Sequence, residues 1–206
     1  VGLFVELESH MSSSIVGYTY GTSEVGPSPI RLSDFESMKK SALFGEEDVR
    51  QLRLSHAIVA DQVEAILDVW YGFVGSNEHL VASFSAKHGG KPLPEYLSSV
   101  RKRFGKWILD TARAEYDQAW LDYQHEIGLR HHRTKKNLTD SAKSTAIVPF
   151  RDLFLLIVPV TTTLKPLLAR SRAMASPMPD PAPVTRATRP ENEYFIVFPP
   201  MGWIRC

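Results

Sequence analysis

The spacing of the apolar residues constrains the fold of this chain more than any other feature. Val59, Val63, Ile66, Leu67, Trp70, Phe73 and Val74 fall on one face of a 3.6-residue repeat, with Asp61, Glu64 and Asp68 opposite. Tyr96, Leu97, Val100, Phe104, Trp107 and Ile108 repeat the pattern, as do Tyr116, Ala119, Trp120, Tyr123 and Ile127. There is no Asn-Gly hairpin signal and no run of alternating strands. The expectation is an all-α domain of about six helices with no internal repeat.

Local signals place the helix ends. Ser33-Asp34-Phe35-Glu36 reads as a capping box opening a short helix over 33–42. Glu46, Glu47 and Asp48 suit the first turn of a second helix, which runs to Val74 with a possible break near His56 and ends at Gly75-Ser76-Asn77. Pro94 opens a third helix at a position where its missing N–H costs nothing. A helix over 114–132 follows. A last one over 148–170 carries the run Leu153–Val158; it is apolar all round, so it is expected to be central, buried on most sides and kinked at Pro159.

The ends of the chain differ from its middle. Residues 1–14 are expected to be a disordered extension. Their apolar start lacks the basic residues of a signal peptide. Of the 14 prolines, Pro177, Pro179, Pro181, Pro183, Pro190, Pro199 and Pro200 lie after Arg170. Alternate prolines forbid helix, so 171–206 is expected to be an atypical Pro-rich tail and the ordered domain to span 15–170. No apolar run is long enough to cross a membrane. A single cysteine, Cys206, excludes internal disulfides and cysteine-based metal sites. A formal charge of +1 argues against a dedicated nucleic-acid binder, and the expected location is cytoplasmic.

Among the seven histidines, His131 stands apart. With about 100° per residue and Ile127 as zero, Tyr123 falls near −40°, Trp120 near +20° and His131 near +40°, whereas His132 and His125 fall near 140° and 160°. His131 therefore points with the apolar stripe. It is either a core histidine bonded to a backbone carbonyl or an axial ligand to a metal-bearing cofactor; one imidazole suffices for haem but not for a protein-only zinc site. Facing helices carry Trp70, Tyr71, Phe73, Phe104 and Trp107, which read as ordinary core packing, with Tyr71 the exception. Tyr71 lies at the edge of its apolar face, where a phenol needs a partner and can donate to a small ligand. Two basic runs, Arg101–Lys106 and Arg130–Lys136, fit a solvated face, a nucleic-acid surface, or the rim of a pocket for an anionic group. Arg103, beside Phe104, is best placed for the last.

The stretch Asp61–Gly75, with Trp70-Tyr71 at its centre, resembles the protoglobins, single-domain relatives of globin-coupled sensors. So do Val100-Arg101-Lys102-Arg103-Phe104, Trp107–Thr111 and the long run Tyr116–Asn137 containing Arg130-His131-His132-Arg133. Gly17-Tyr18-Thr19-Tyr20-Gly21 is similar to the family's N-terminal loop. The resemblance implies a globin fold, a three-over-three helical sandwich, with an extra N-terminal helix and a haem b. It implies that His131 holds the iron, that Tyr71 and Trp70 form the distal pair, and that Phe104, Leu156 and Val160 line the pocket. Trp107 and Arg103 are its other expected contacts. Oxygen, carbon monoxide and nitric oxide are the implied ligands, and a homodimer through the last two helices the implied assembly. Against that dimer, the Pro-rich tail stands where the family's final helix belongs. Catalysis is not expected beyond a side reaction on nitrogen oxides or peroxide. The rival readings are a gas-sensor module acting through a separate partner, and a non-haem helical interaction or nucleic-acid-binding protein.

Overall fold

The computed structural model describes residues 15–87, 90–156 and 159. Over these the chain is all-α. Helix α1 spans Leu32–Ser41, α2 Glu46–Gly75, the one-turn α3 Glu78–Val81, α4 Pro94–Arg113 and α5 Gln118–His131. A 3-10 turn, Ala82–Phe84, follows α3. The described part of a last helix, α6, occupies 150–156. Among the described residues there is no strand, only isolated bridges between Ser85 and Pro92 and between Ala86 and Ser144. No helix among them is long and apolar enough to cross a membrane.

The 30-residue α2 organises the domain. Its buried Val59, Ile66, Leu67, Trp70 and Val74 pack with Tyr96 and Ile108 of α4 and with Leu80 and Phe84 below them. Gly105 sits where α2 and α4 come closest. A β-carbon there would lie 3.1 Å from Leu67 Cδ1 and 3.6 Å from Val63 Cγ2. A second cluster joins Phe35 of α1 to Trp120 and Leu121 of α5, with Tyr20, Trp107 and Tyr116 against it. The loop before α1 lies on α5: the Tyr18 ring meets Tyr123 edge-on at 5.0 Å, and Tyr20 meets Trp120 at 6.1 Å. Gly17, at φ +76°, has no room for a side chain, since a β-carbon would stand 2.6 Å from Thr139 Cγ2.

Several ends differ from the sequence expectation. The cap of α1 is Arg31, whose N–H donates to Asp34 Oδ2 at 3.0 Å; Ser33 and Glu36 lie inside the helix. Helix α2 runs through His56 without a break. Helix α5 starts at Gln118, not 114. Ala114 turns the chain left-handed at φ 52°, and the Asp117 carboxylate caps the next turn by accepting from Trp120 N at 2.8 Å. Helix α6 starts at 150, because Val148 donates its N–H to His131 O and Pro149 follows. Its described part is not buried on most sides: Asp152 is inside, but Phe150, Phe154 and Leu155 are exposed. The expected kink at Pro159, the pocket position Val160, the disordered 1–14 segment and the Pro-rich tail all involve residues outside the described ones.

Replacing Gly105 tests the α2–α4 contact. Alanine gains about 1 kcal/mol of helix propensity, while overpacking a site whose neighbour Leu67 is 1% exposed costs about 1–3 kcal/mol. Gly105→Ala should lower the urea-unfolding free energy by about 1 kcal/mol. A rise in stability would show that the two helices part easily.

Candidate functional site

The interior is not filled. Between α2, α4, α5 and α6 lies a cavity with about 190 Å³ of space in which water can sit, room for roughly a dozen waters or more. A well-packed domain holds few voids larger than one water, so this space is part of the architecture.

Helix α4 supplies one wall. Tyr96, Val100, Arg103, Phe104 and Trp107 share a face and all line the cavity. Trp70 of α2 and Phe84 of the 3-10 turn close one side, and Leu153 and Leu156 of α6 another. The aromatic rings touch in series: Trp70 to Phe104 at 4.9 Å and Phe104 to Trp107 at 5.9 Å. Trp70 also ties α2 to α6, its indole N–H donating to Leu156 O at 2.9 Å.

Helix α5 supplies Tyr123, Gln124, Ile127, Arg130 and His131. The His131 side chain is fixed from behind. Its Nδ1 lies 2.8 Å from the carbonyl oxygen of Ile127, one turn earlier. A carbonyl can only accept, so Nδ1 carries the proton and Nε2 carries the lone pair. Among the described residues Nε2 has no hydrogen-bond partner. Burial holds the imidazolium below the ordinary histidine range; the bond to Ile127 opposes this and the charge of Lys136 adds to it. The ring is therefore neutral at neutral pH, with a basic nitrogen free in a cavity wall. That is how metal-ligating histidines are generally held, with the second ring nitrogen bonded to an acceptor. His132, one residue on, caps the helix and turns its Nδ1 to Thr134 Oγ1 at 2.7 Å.

The remaining sequence candidates divide. Trp70, Phe104, Arg103, Trp107 and Leu156 line the cavity with His131. Tyr71 stands one ring behind it, its ring 4.8 Å from Trp70 and 6.4 Å from Phe84, with the Arg101 guanidinium 5.4 Å above. Its hydroxyl is buried without a hydrogen-bond partner. Burial raises the phenol well above its usual range, against the pull of Arg101 and Arg103. Val160 lies outside the described residues.

Both arginines at the cavity are already engaged. Arg103 grips Asp140 with two bonds, Nη1 to Oδ1 at 2.9 Å and Nη2 to Oδ2 at 2.6 Å, and donates to Val16 O. Arg130 donates to Glu126 Oε1 at 2.9 Å, to Gly17 O and to Thr19 Oγ1. Burial pushes the Glu126 carboxyl up, but hydrogen bonds from Lys135 and Arg130 prevail and hold it below its usual value.

Sequence reasoning missed Lys136 as a site residue. It is 4% exposed, lines the cavity, and donates to Ser83 O at 2.8 Å and to Tyr96 Oη at 3.0 Å. Burial lowers its ammonium to about 8, against the opposing charge of Asp140. Its run of cations read as a helix-end cluster. No spacing signal could have found it, because it follows α5 in irregular chain.

A profile of the protoglobin family matches residues 32–188. An all-α domain with a carbonyl-anchored histidine in the wall of an aromatic cavity is the architecture of a globin. The chain belongs to the protoglobin family. The matched span begins at α1 and runs past 170 into the Pro-rich segment. No curated protein matches the chain.

The lowered His131 pKa has a consequence for the cofactor-free protein. The unfolded imidazole titrates near 6.5 and the folded one lower. As pH falls through 6.5, the unfolded state takes up the proton first, and stability is lost until the folded pKa is reached. The melting temperature should drop between pH 7.5 and 5.5, and His131→Gln should flatten that drop. An unchanged slope in the variant would show that His131 is free to charge.

Proposed function

We propose that this protoglobin is a haem b protein that reversibly binds diatomic gases, with His131 as the protein's ligand to iron. The observation that carries the reading is the state of His131: neutral, pinned through Nδ1, with Nε2 free at a cavity too large to be a packing defect. Among the described residues no group of three or more histidine, cysteine, aspartate or glutamate side chains could hold a bare metal ion. A metal at His131 has to bring its other ligands with it. Haem would do so: its iron would come already held by the porphyrin, His131 Nε2 would hold that iron to the protein, and the group would supply the chemistry of binding a diatomic gas.

The other residues suit that group. Trp70, Phe84, Phe104, Trp107 and Leu156 offer the apolar and aromatic wall a flat macrocycle needs, and exclude water from it. The Tyr71 hydroxyl is buried without a hydrogen-bond partner, its ring against Trp70 of the cavity wall, and an unsatisfied donor costs about 1–3 kcal/mol unless something bound supplies an acceptor. Oxygen, nitric oxide and carbon monoxide are the ligands proposed, and oxygen, the most polarised when bound, gains most from such a donor.

The nucleic-acid alternative loses its footing in the same geometry. Arg101 pairs with Glu64 and Asp68, Arg103 with Asp140, Lys106 with Asp110, and Arg130 and Lys135 with Glu126. Most cations of the two basic runs are thus paired with carboxylates of the same chain rather than laid out for phosphates.

An absorption spectrum tests the reading. Purified protein reconstituted with haem should show a Soret band and a five-coordinate ferrous spectrum. His131→Ala should lose the cofactor or that spectrum, and His132→Ala should keep both. Normal haem content and spectrum in His131→Ala would overturn the assignment. Tyr71→Phe should speed oxygen release by roughly 5- to 30-fold, the equivalent of about 1–2 kcal/mol, and carbon monoxide release by much less. Equal effects on both gases, read by stopped flow, would mean that the hydroxyl does not reach the ligand.

A further inference from the structure

Three cations line the cavity besides His131: Arg103, Arg130 and Lys136. Two of them are neutralised by carboxylates. Arg103 has Asp140 across a bidentate pair, both side chains 11% exposed, and Arg130 has Glu126. Lys136 has none: among the described residues no carboxylate lies within ion-pair distance of its Nζ. The nearest acidic influence on it, Asp140, is held by Arg103. A charge taken out of water without a counter-ion is expensive. A fold that keeps one at a cavity wall leaves a place for an anion.

The donors at that place can be counted. An ammonium has three N–H bonds. Two go to Ser83 O and Tyr96 Oη, which leaves one. The Tyr96 oxygen accepts from Lys136, so its own O–H remains to be given, and no acceptor for it is found among the described residues. Both side chains are more than nine-tenths buried, both line the cavity, and the ammonium lies 4.9 Å from the Tyr96 ring centre. Ser83 O does not depend on Lys136 alone, because Ser144 Oγ also donates to it at 3.0 Å. The lysine is thus not required to satisfy the backbone around it.

We infer that Lys136 and Tyr96 form a carboxylate subsite in the cavity wall, the free N–H and the free O–H converging on one acid group at the edge of the bound macrocycle. This rests on the haem reading above and deepens it: of the two propionates that haem b carries, one is taken by this pair. Arg103, the residue the sequence favoured for that task, is instead a strut between α4, Asp140 and the N-terminal loop.

The test compares haem with its dimethyl ester, which keeps the macrocycle and iron but has no carboxylates. Each is titrated into cofactor-free protein and followed by Soret absorption. Wild type should bind haem at least about tenfold more tightly than the ester. Lys136→Met should lose most of that preference while keeping the Soret position set by His131, and the melting temperature of its cofactor-free form should rise as the unpaired charge goes. Lys136→Arg should retain the preference and Tyr96→Phe should reduce it. If wild type binds haem and ester equally, or Lys136→Met discriminates as well as wild type, the subsite is wrong although the haem reading stands. If neither porphyrin binds wild type, the haem reading fails and the subsite with it.

Discussion

The Arg103–Asp140 pair carries much of this architecture. It joins the middle of α4 to the loop after α5, and through Val16 O it reaches the chain's N-terminal loop as well. Both side chains are close to fully buried, and removing one partner from such a pair costs about 3–5 kcal/mol because the other charge is stranded. The pair stands at a cavity wall, where apolar packing cannot contribute in full: a void has no atoms to pack against. Arg130 repeats the device with Glu126, Gly17 O and Thr19 Oγ1. Two fixed struts hold apart surfaces that hydrophobic collapse alone would tend to close. Gly17 lets the N-terminal loop approach them, since its backbone is left-handed and its missing side chain leaves room for Thr139 and Arg103.

The helical skeleton was legible in the sequence because period and pattern agree over long stretches. The face Val59–Val74 of α2 and the face Tyr96–Ile108 of α4 are the core they were expected to be. Ends were less legible. The Ser33 box is the stronger pattern, yet the helix is capped at Arg31, with Asp34 accepting from the Arg31 N–H and Phe35 packed against Tyr116. Helix α6 reads as buried from composition, yet Phe150 and Phe154 pair with each other at 4.9 Å on an exposed face. Hydrophobicity states what a helix can bury, not which neighbours arrive.

The site was legible to the extent that it lies on helix faces. His131, Phe104, Trp107 and Trp70 could be placed by angle alone. Lys136 could not, because it follows α5 in irregular chain, where residue spacing no longer fixes direction. Arg103 was placed correctly at the wall, but its engagement with Asp140, 37 positions away, belongs to tertiary structure. Tyr71 shows the same limit at finer scale: the wheel puts it at the edge of its face, and the structure sets its ring against Trp70, outside the residues that line the cavity.

Several departures from ordinary packing chemistry lie at or beside this space. His131 keeps an unpaired Nε2 and Lys136 an uncompensated charge. Tyr71 keeps an unbonded hydroxyl, and Gln124 an unbonded amide nitrogen in the cavity wall. Each would be repaired cheaply by an apolar residue of similar size, and a chain selected for stability alone would accept the repair. Buried atoms without a hydrogen bond occur elsewhere too, at His56 Nε2, Trp120 Nε1, Asn137 Oδ1 and Thr145 Oγ1, whereas Ser144, which donates to Ser83 O and lies 2.8 Å from Ser85 O, and Asp117 at the start of α5 are satisfied. What sets the cavity apart is the kind of group left open there, a basic imidazole nitrogen and an ammonium facing one space, rather than the number of open groups.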